Sequence, residues 1–360
     1  MRLKFAPPPH PPPSPRSAAS VAAVTALALS VLFPAVAAAQ GVTLPSILDP
    51  ASPNAASLKT LYDIIFYLGL AVFLLVEGLI VIAIVRFRRR EGDPEPAQVH
   101  GNGTAEIAWT IAPTVVVLIL AIVSYRPLVE GRTPPADAIT VNAIGHQWWW
   151  EFAYPDAGVT TATDLVVPVG RPIRVNLDSV DVIHSFWVPQ LSGKTDAIPG
   201  ARDGGAGQNS VWFVAERPGR YEGQCAELCG AQHAGMRFAV VVVGEAEYRA
   251  WLVAQAAPAA RPAPGSPEAA GQAVMTTDEK LCYTCHTIDG VPKMVGTAGP
   301  NLTHVGTRPW LAGGVFPNSA EGLTRWVDHP DDVKPGTVMP DVGLAPGEIR
   351  SVVSYLQSLK

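Results

Sequence analysis

Two apolar runs, residues 64–85 and 107–124, decide most of what this chain can become. The first is 22 residues long, enough for a helix to cross a hydrocarbon layer. It ends in Arg86, Arg88, Arg89 and Arg90, and a polar loop separates it from the second run. Arginines there place the loop on the cytoplasmic side. The spans therefore form a transmembrane hairpin, residues 55–126, and everything after about residue 126 lies outside the cytoplasm. Glu77 sits within the first span, where a carboxyl is costly and faces protein rather than lipid. It reads as a proton or helix-contact site or, more simply, as a protonated side chain bonded to a partner helix. Pro113 sits in the second span, where a neighbouring helix can support a kink.

The N-terminus agrees with this topology. Residues 1–39 read as an export signal, with Arg2, Lys4 and Arg16 in front, an apolar stretch over 21–36 and Ala37-Ala38-Ala39 as a small-residue cleavage site. An uncleaved anchor helix is the competing reading. The net charge of −5 gives no large nucleic-acid-binding surface. A length of 360 residues allows two or three domains.

After the hairpin the texture changes. Residues 136–250 contain short β-branched and aromatic runs such as "LVVPVGRPIRVNLDS" and "MRFAVVVVG", separated by Gly, Pro and Asp clusters. That pattern predicts an all-β sandwich or barrel. Residues 256–270, "AAPAARPAPGSPEAA", carry four prolines and read as an extended linker. The last segment, 271–360, is expected to be helical. Ile349, Val352, Val353, Leu356 and Leu359 share one face of a closing helix that starts near Pro346.

All four cysteines fall in two tight pairs. In "GQCAELCGAQHAGMRF" the residues Cys225, Cys229, His233 and Met236 crowd one loop, and His184 lies upstream in "VDVIHSFWVP". Thiolate, imidazole and thioether are donors suited to copper. Two thiolates can bridge two copper ions, each ion also taking one histidine. Met236 would be a weak ligand to one ion, and a backbone carbonyl between the cysteines would complete the other. A Cys225–Cys229 disulfide would leave the histidines and Met236 unexplained. Zinc on two Cys and two His is a further alternative, although it does not call for Met. Gly223, Gly230 and Gly235 favour a loop over a helical core stripe.

The second pair lies in "LCYTCHTI". Its C-x-x-C-H spacing lets Cys282 and Cys285 attach covalently to haem vinyl groups while His286 ligates the iron. The sixth ligand must come from farther along. Met339, in the proline-framed "KPGTVMP", is the first candidate; Met294, His304 and His329 are the alternatives. Met ligation would raise the potential. This segment, with "GPNL" at 299–302, resembles class I cytochromes c.

"CAELCGAQHAGM", "VDVIHSFWVP", "KTDAIPG" and "GHQWWWEF" together make residues 55–250 resemble subunit II of the haem–copper cytochrome c oxidases. With the C-terminal segment, the whole resembles the caa-type form that carries a fused cytochrome c. The resemblance implies a cupredoxin-like domain holding the dinuclear copper A centre. It assigns bridging to Cys225 and Cys229, one copper each to His184 and His233, the weak axial position to Met236 and a backbone carbonyl ligand to Glu227. It implies that the Glu227 side chain binds a magnesium ion shared with the catalytic subunit. Trp148 falls on the first residue of the family's aromatic triplet, where electrons enter. Trp149 departs from the usual Tyr. Glu106, in "AEIAWTIAPT", falls at the mouth of a proton-uptake route, and Asp181 on an acidic position near the copper domain's surface.

The implied role is electron input to a terminal respiratory oxidase of the bacterial cell membrane, coupled to proton translocation. Electrons would pass from a cytochrome c or a quinol–cytochrome c reductase to haem c, then copper A, then subunit I, with subunit III also present. Alternatives are the copper A subunit of a nitric oxide reductase, a stand-alone membrane electron carrier, and a copper assembly or storage protein.

Overall fold

The computed structural model describes residues 46–95, 97–200 and 208–360. The expected export signal, residues 1–39, lies outside the described residues. Two long helices come first, α1 (Pro53–Arg86) and α2 (Gly103–Glu130). Both outrun the apolar stretches because each is started by a specific cap. Ser52 accepts from the Ala55 amide with Pro53 in the first turn, and Asn102 accepts from the Ala105 amide. The two helices pack on each other. Their apolar side chains are otherwise exposed all round, as a bilayer or partner helices require.

The next domain is a sandwich of two five-stranded sheets. The strands are β1 (Ile139–His146), β2 (Trp149–Tyr154), β3 (Val159–Ala162), β4 (Asp164–Pro168) and β5 (Pro172–Ser179). They continue with β6 (His184–Trp187), β7 (Thr195–Ala197), β8 (Ser210–Val214), β9 (Gly219–Cys225) and β10 (Arg237–Val243). One sheet runs β3-β2-β1-β5-β8 and the other β4-β10-β9-β6-β7. Alternation along β2 buries Trp150, Phe152 and Tyr154 and leaves Trp149, Glu151 and Ala153 partly open. Trp150 meets Phe186 and Phe238 edge-on from the opposite sheet, at 5.8 and 5.6 Å between ring centres. This is the cupredoxin-like domain. Helix α3 (Glu245–Gln255) closes it, with Trp251 against Tyr154.

The C-terminal domain is helical: α4 (Pro267–Met275), α5 (Cys282–Cys285), α6 (Ala320–Asp328), α7 (Pro330–Val333) and α8 (Pro346–Ser358). A two-strand ribbon, β11 (Trp310–Leu311) with β12 (Phe316–Pro317), joins its halves. Its core gathers Met275, Ile288, Met294, Leu323, Ile349, Val353 and Tyr355. Helix α4 starts at Pro267, inside the stretch read as linker, because Ser266 caps it. The chain before it is also held. Ala259 donates to the Asp289 carbonyl, and His304 Nε2 donates to the Ala257 carbonyl at 2.9 Å. Proline content signals an extended backbone but not where that backbone lies.

Candidate metal centres

Strand register sets up the first centre. β6 and β9 are antiparallel neighbours with Phe186 opposite Cys225. Two residues back along β6, His184 lies on the same side, fully buried. The Cys225 amide donates to the Met236 carbonyl at 3.0 Å, which closes the loop between β9 and β10 at its base. A short 3-10 turn, His233–Gly235, then brings His233 and Met236 back toward the cysteines.

The donor atoms converge. The Cys225 and Cys229 sulfurs stand 3.7 Å apart as free thiols. His184 Nδ1 is 3.9 Å from Cys225 Sγ, and His233 Nδ1 is 3.6 Å from Cys229 Sγ. Met236 Sδ is 3.9 Å from Cys229 Sγ, and the Glu227 carbonyl oxygen is 3.2 Å from Cys225 Sγ. His184, Cys225 and Cys229 are near enough to share one ion. The sulfurs are therefore flanked by one imidazole on each side, with a carbonyl next to one and a thioether next to the other. That donor set, soft and buried, fits a two-copper centre better than a four-ligand zinc site.

The electrostatics prepare the thiols. The hydrogen bond between them lowers the Cys225 pKa and raises that of Cys229. Burial disfavours a charged His184, but Cys225 and Asp181 together raise its pKa. Asp181, an acidic surface position by sequence, is more than that here. Its carboxylate accepts from His184 Nε2 at 2.8 Å, from the Gln147 amide at 2.7 Å and from the Val182 amide at 2.7 Å. Fixing hydrogen on Nε2 leaves Nδ1 free toward the sulfurs.

Trp148 lies over the same loop. Its indole Nε1–H donates to the Cys229 carbonyl at 2.9 Å, and Gln147 Nε2 donates to the same oxygen at 2.7 Å. Glu227 is exposed, as is Glu106, whose carboxylate accepts from the Asn102 amide at the start of α2.

The second centre is a cavity of about 650 Å³, within the range of about 300–1,000 Å³ common for cofactor sites. Cys282, Cys285 and His286 line it, and so does Met339. Met294 is instead buried in the domain core, His304 is bonded to Ala257, and His329 lies exposed beside Asp341. Of the four candidate sixth ligands, Met339 alone lines the cavity. His286 Nδ1 donates to the Pro300 carbonyl at 2.9 Å, which leaves Nε2 for a metal. Burial lowers the His286 pKa, which keeps that nitrogen a lone-pair donor. Arg308 is buried on the cavity wall, and burial pushes its guanidinium down to about 10. A buried cation facing a cavity fits a cofactor with carboxylate arms. Thiols, imidazole, thioether and cation thus fit a covalent haem.

Copper-domain residues complete that cavity. His146, Trp148 and Trp149 line it too, with His146 stacked on Trp149 at 4.0 Å. Sequence reasoning did not reach Lys334. Its buried ammonium donates to the carbonyls of Trp148 at 2.6 Å, Ala312 at 2.7 Å and Gly235 at 3.0 Å. Nothing in "DDVKPGTVMP" signals a lysine that reaches out of its own domain.

Comparison with known proteins agrees with this geometry. Residues 39–126 match the transmembrane domain of cytochrome c oxidase subunit II, residues 158–243 its periplasmic domain, and residues 268–360 cytochrome c. A cytochrome c oxidase subunit 2 of Alkalihalophilus pseudofirmus is 36% identical over 87% of this chain and 90% of its own length. That of Bacillus sp. strain PS3 is 35% identical over 76% of this chain and 80% of its own. The crystal structure of the periplasmic domain of subunit II from Bradyrhizobium japonicum is 36% identical over 34% of this chain and 96% of its own, with a TM-score of 0.32. These domains imply copper A and haem as cofactors and subunit I of a haem–copper oxidase as a partner. The chain belongs to the cytochrome c oxidase subunit II family, in the form that carries its own C-terminal cytochrome c domain.

Proposed function

We propose that this chain takes single electrons from an external donor and relays them, through haem c and copper A, to subunit I for oxygen reduction. Cys282 and Cys285 would hold the haem, with His286 and Met339 as the residues available to its iron. Cys225, Cys229, His184, His233, Met236 and the Glu227 carbonyl would together hold two copper ions. When bound, the two centres supply reversible one-electron carriers and nothing more. The protein's part is positional. A loop closed at its base, with His184 fixed by Asp181, resists ligand movement as charge passes.

The observation that carries this reading is the shared cavity. Haem-attachment residues and Trp148 face one space, and the Trp148 indole bonds directly to the Cys229 carbonyl. Trp148 is therefore the point at which electrons enter the copper domain. The copper and cytochrome domains lie on the periplasmic face. The donor is a cytochrome c or a quinol–cytochrome c reductase, and subunit III completes the assembly in the lipid membrane. The exposed Glu227 carboxylate suits a magnesium ion held jointly with subunit I, and the exposed Glu106 suits the mouth of a proton-uptake path serving proton translocation.

Spectroscopy of the purified oxidase tests the assignment. The wild-type protein should show a delocalised two-copper EPR pattern together with haem c bands. Cys225→Ser should abolish the copper pattern and keep the haem bands. A complete two-copper spectrum in that variant would refute the bridging role.

A further inference from the structure

Lys334 makes a contact that neither metal centre requires. It sits five positions before Met339, at the end of α7, yet two of its three acceptors belong to the copper domain. An ammonium has three N–H donors, and here three carbonyl oxygens take them. A surface lysine gains little from being fixed, because water solvates it well. This one is only 3% exposed, so its desolvation is offset by these three bonds or not at all.

The surrounding backbone is cut to the same fit. Gly313 holds a φ of +71°, and a Cβ there would stand 2.7 Å from the Trp148 carbonyl oxygen. The Gly313 carbonyl accepts from the Arg237 amide at 2.8 Å, and Gln232 Nε2 donates to the Pro335 carbonyl at 3.0 Å. A Cβ added at Gly336, where φ is +82°, would stand 3.6 Å from the edge of the Trp148 ring. With the cytochrome domain in place, Trp148 is 8% exposed.

We propose that Lys334 is a positioning residue that seats the cytochrome domain on the copper domain over Trp148, making the docked state the resting one. The tether alone would give a high local concentration of the cytochrome domain but no orientation. The Lys334 amine supplies orientation, because its acceptors are main-chain atoms held by the loops around Trp148 and Met236. A second consequence is exclusion. A soluble donor cannot reach the covered Trp148 and must deliver to the cytochrome domain instead. This inference rests on the electron route proposed above.

The test uses the intact oxidase complex carrying Lys334→Met, which keeps the apolar stem and removes the donors. Two quantities are read. One is amide hydrogen exchange at residues 147–149, 310–316 and 334–338. The other is the rate at which photoreduced haem c loses one electron to oxidised copper A, with no bond made or broken. Exchange in the three segments should rise about ten-fold, the effect of losing one net interaction of that kind. The transfer rate should fall by about ten- to a hundred-fold, as misplacement of reacting partners does. Haem bands and copper EPR should be unchanged. Gly313→Ala, whose Cβ would press on the Trp148 carbonyl and on Lys334 Nζ while leaving the lysine in place, should reproduce both effects. Wild-type exchange or a wild-type transfer rate in Lys334→Met would overturn the proposal. Absence of copper or haem signals from the wild-type complex would instead sink the electron route, and the exchange measurement would still decide the docking.

Discussion

His184 Nε2 stands 2.8 Å from the Asp181 carboxylate while His184 Nδ1 faces Cys225 Sγ at 3.9 Å. One ring therefore links a half-buried acid to the thiol pair. The acid is itself anchored by the Gln147 and Val182 amides. Against burial, which raises it, the His184 hydrogen bond and then the Val182 and Gln147 amides hold its carboxyl below the usual carboxylate range, so it is ionised and accepts only. A carboxylate in this place fixes the imidazole tautomer and makes the other nitrogen a better donor. Asp181→Asn keeps the shape but can present an N–H to Nε2. We expect copper affinity to fall by about ten- to a hundred-fold, with the sandwich intact. Copper stoichiometry under competition with a chelator measures this. Unchanged retention of copper would show that Asp181 is an ordinary surface acid.

The parts legible in the sequence are those whose chemistry is local. Cys225, Cys229, His233 and Met236 share one loop, and Cys282, Cys285 and His286 one turn, so spacing alone brings their donors together. Met339 is different, since several distant residues carry suitable donors and only the folded chain shows which lines the cavity. Lys334 was illegible for a stronger reason. Its partner Trp148 lies 186 positions away, and the bond goes to a main-chain oxygen that any residue would offer. No residue pattern records a carbonyl's direction. The linker hid its path in the same way, because the bonds to Asp289 and from His304 also use main-chain atoms.

The loop that carries Met339 is stapled by a pair that titrates. His329 Nδ1 lies 3.0 Å from Asp341, two positions beyond Met339. The hydrogen bond to Asp341, and then the charge of Asp328, raise the His329 pKa above its ordinary value of 6.5. Because the folded value is the higher one, the added stability is fully present below the unfolded pKa. It is lost as pH rises through the raised folded value. The pair is solvent-exposed, so the effect is modest. The stability advantage of wild type over His329→Asn should be largest near pH 6 and shrink toward pH 8. Thermal unfolding followed by haem absorbance across that window checks it. An advantage that stayed constant or grew with pH would contradict the sign.

Gly271 in α4 faces α8 across a tight helix contact in the cytochrome domain. A Cβ there would fall 2.1 Å from the Ser351 carbonyl oxygen and 2.8 Å from Tyr355 Cβ. The first obstacle is backbone, which cannot rotate away as a side chain would. Two effects oppose each other in Gly271→Ala. Helix propensity alone favours alanine by about 1 kcal/mol. Overpacking against a helix backbone costs about 1–3 kcal/mol and more when backbone must move. The distance decides for overpacking, because α8 also carries Val352 and Leu356, which line the haem cavity. The variant should therefore unfold at a lower temperature than wild type, by about 4–8 °C for each net kcal/mol lost in a domain of this size. It should also loosen the cavity wall, read as faster amide exchange in α8. A melting point equal to or above wild type would mean that the helices separate without cost and that propensity governs this site.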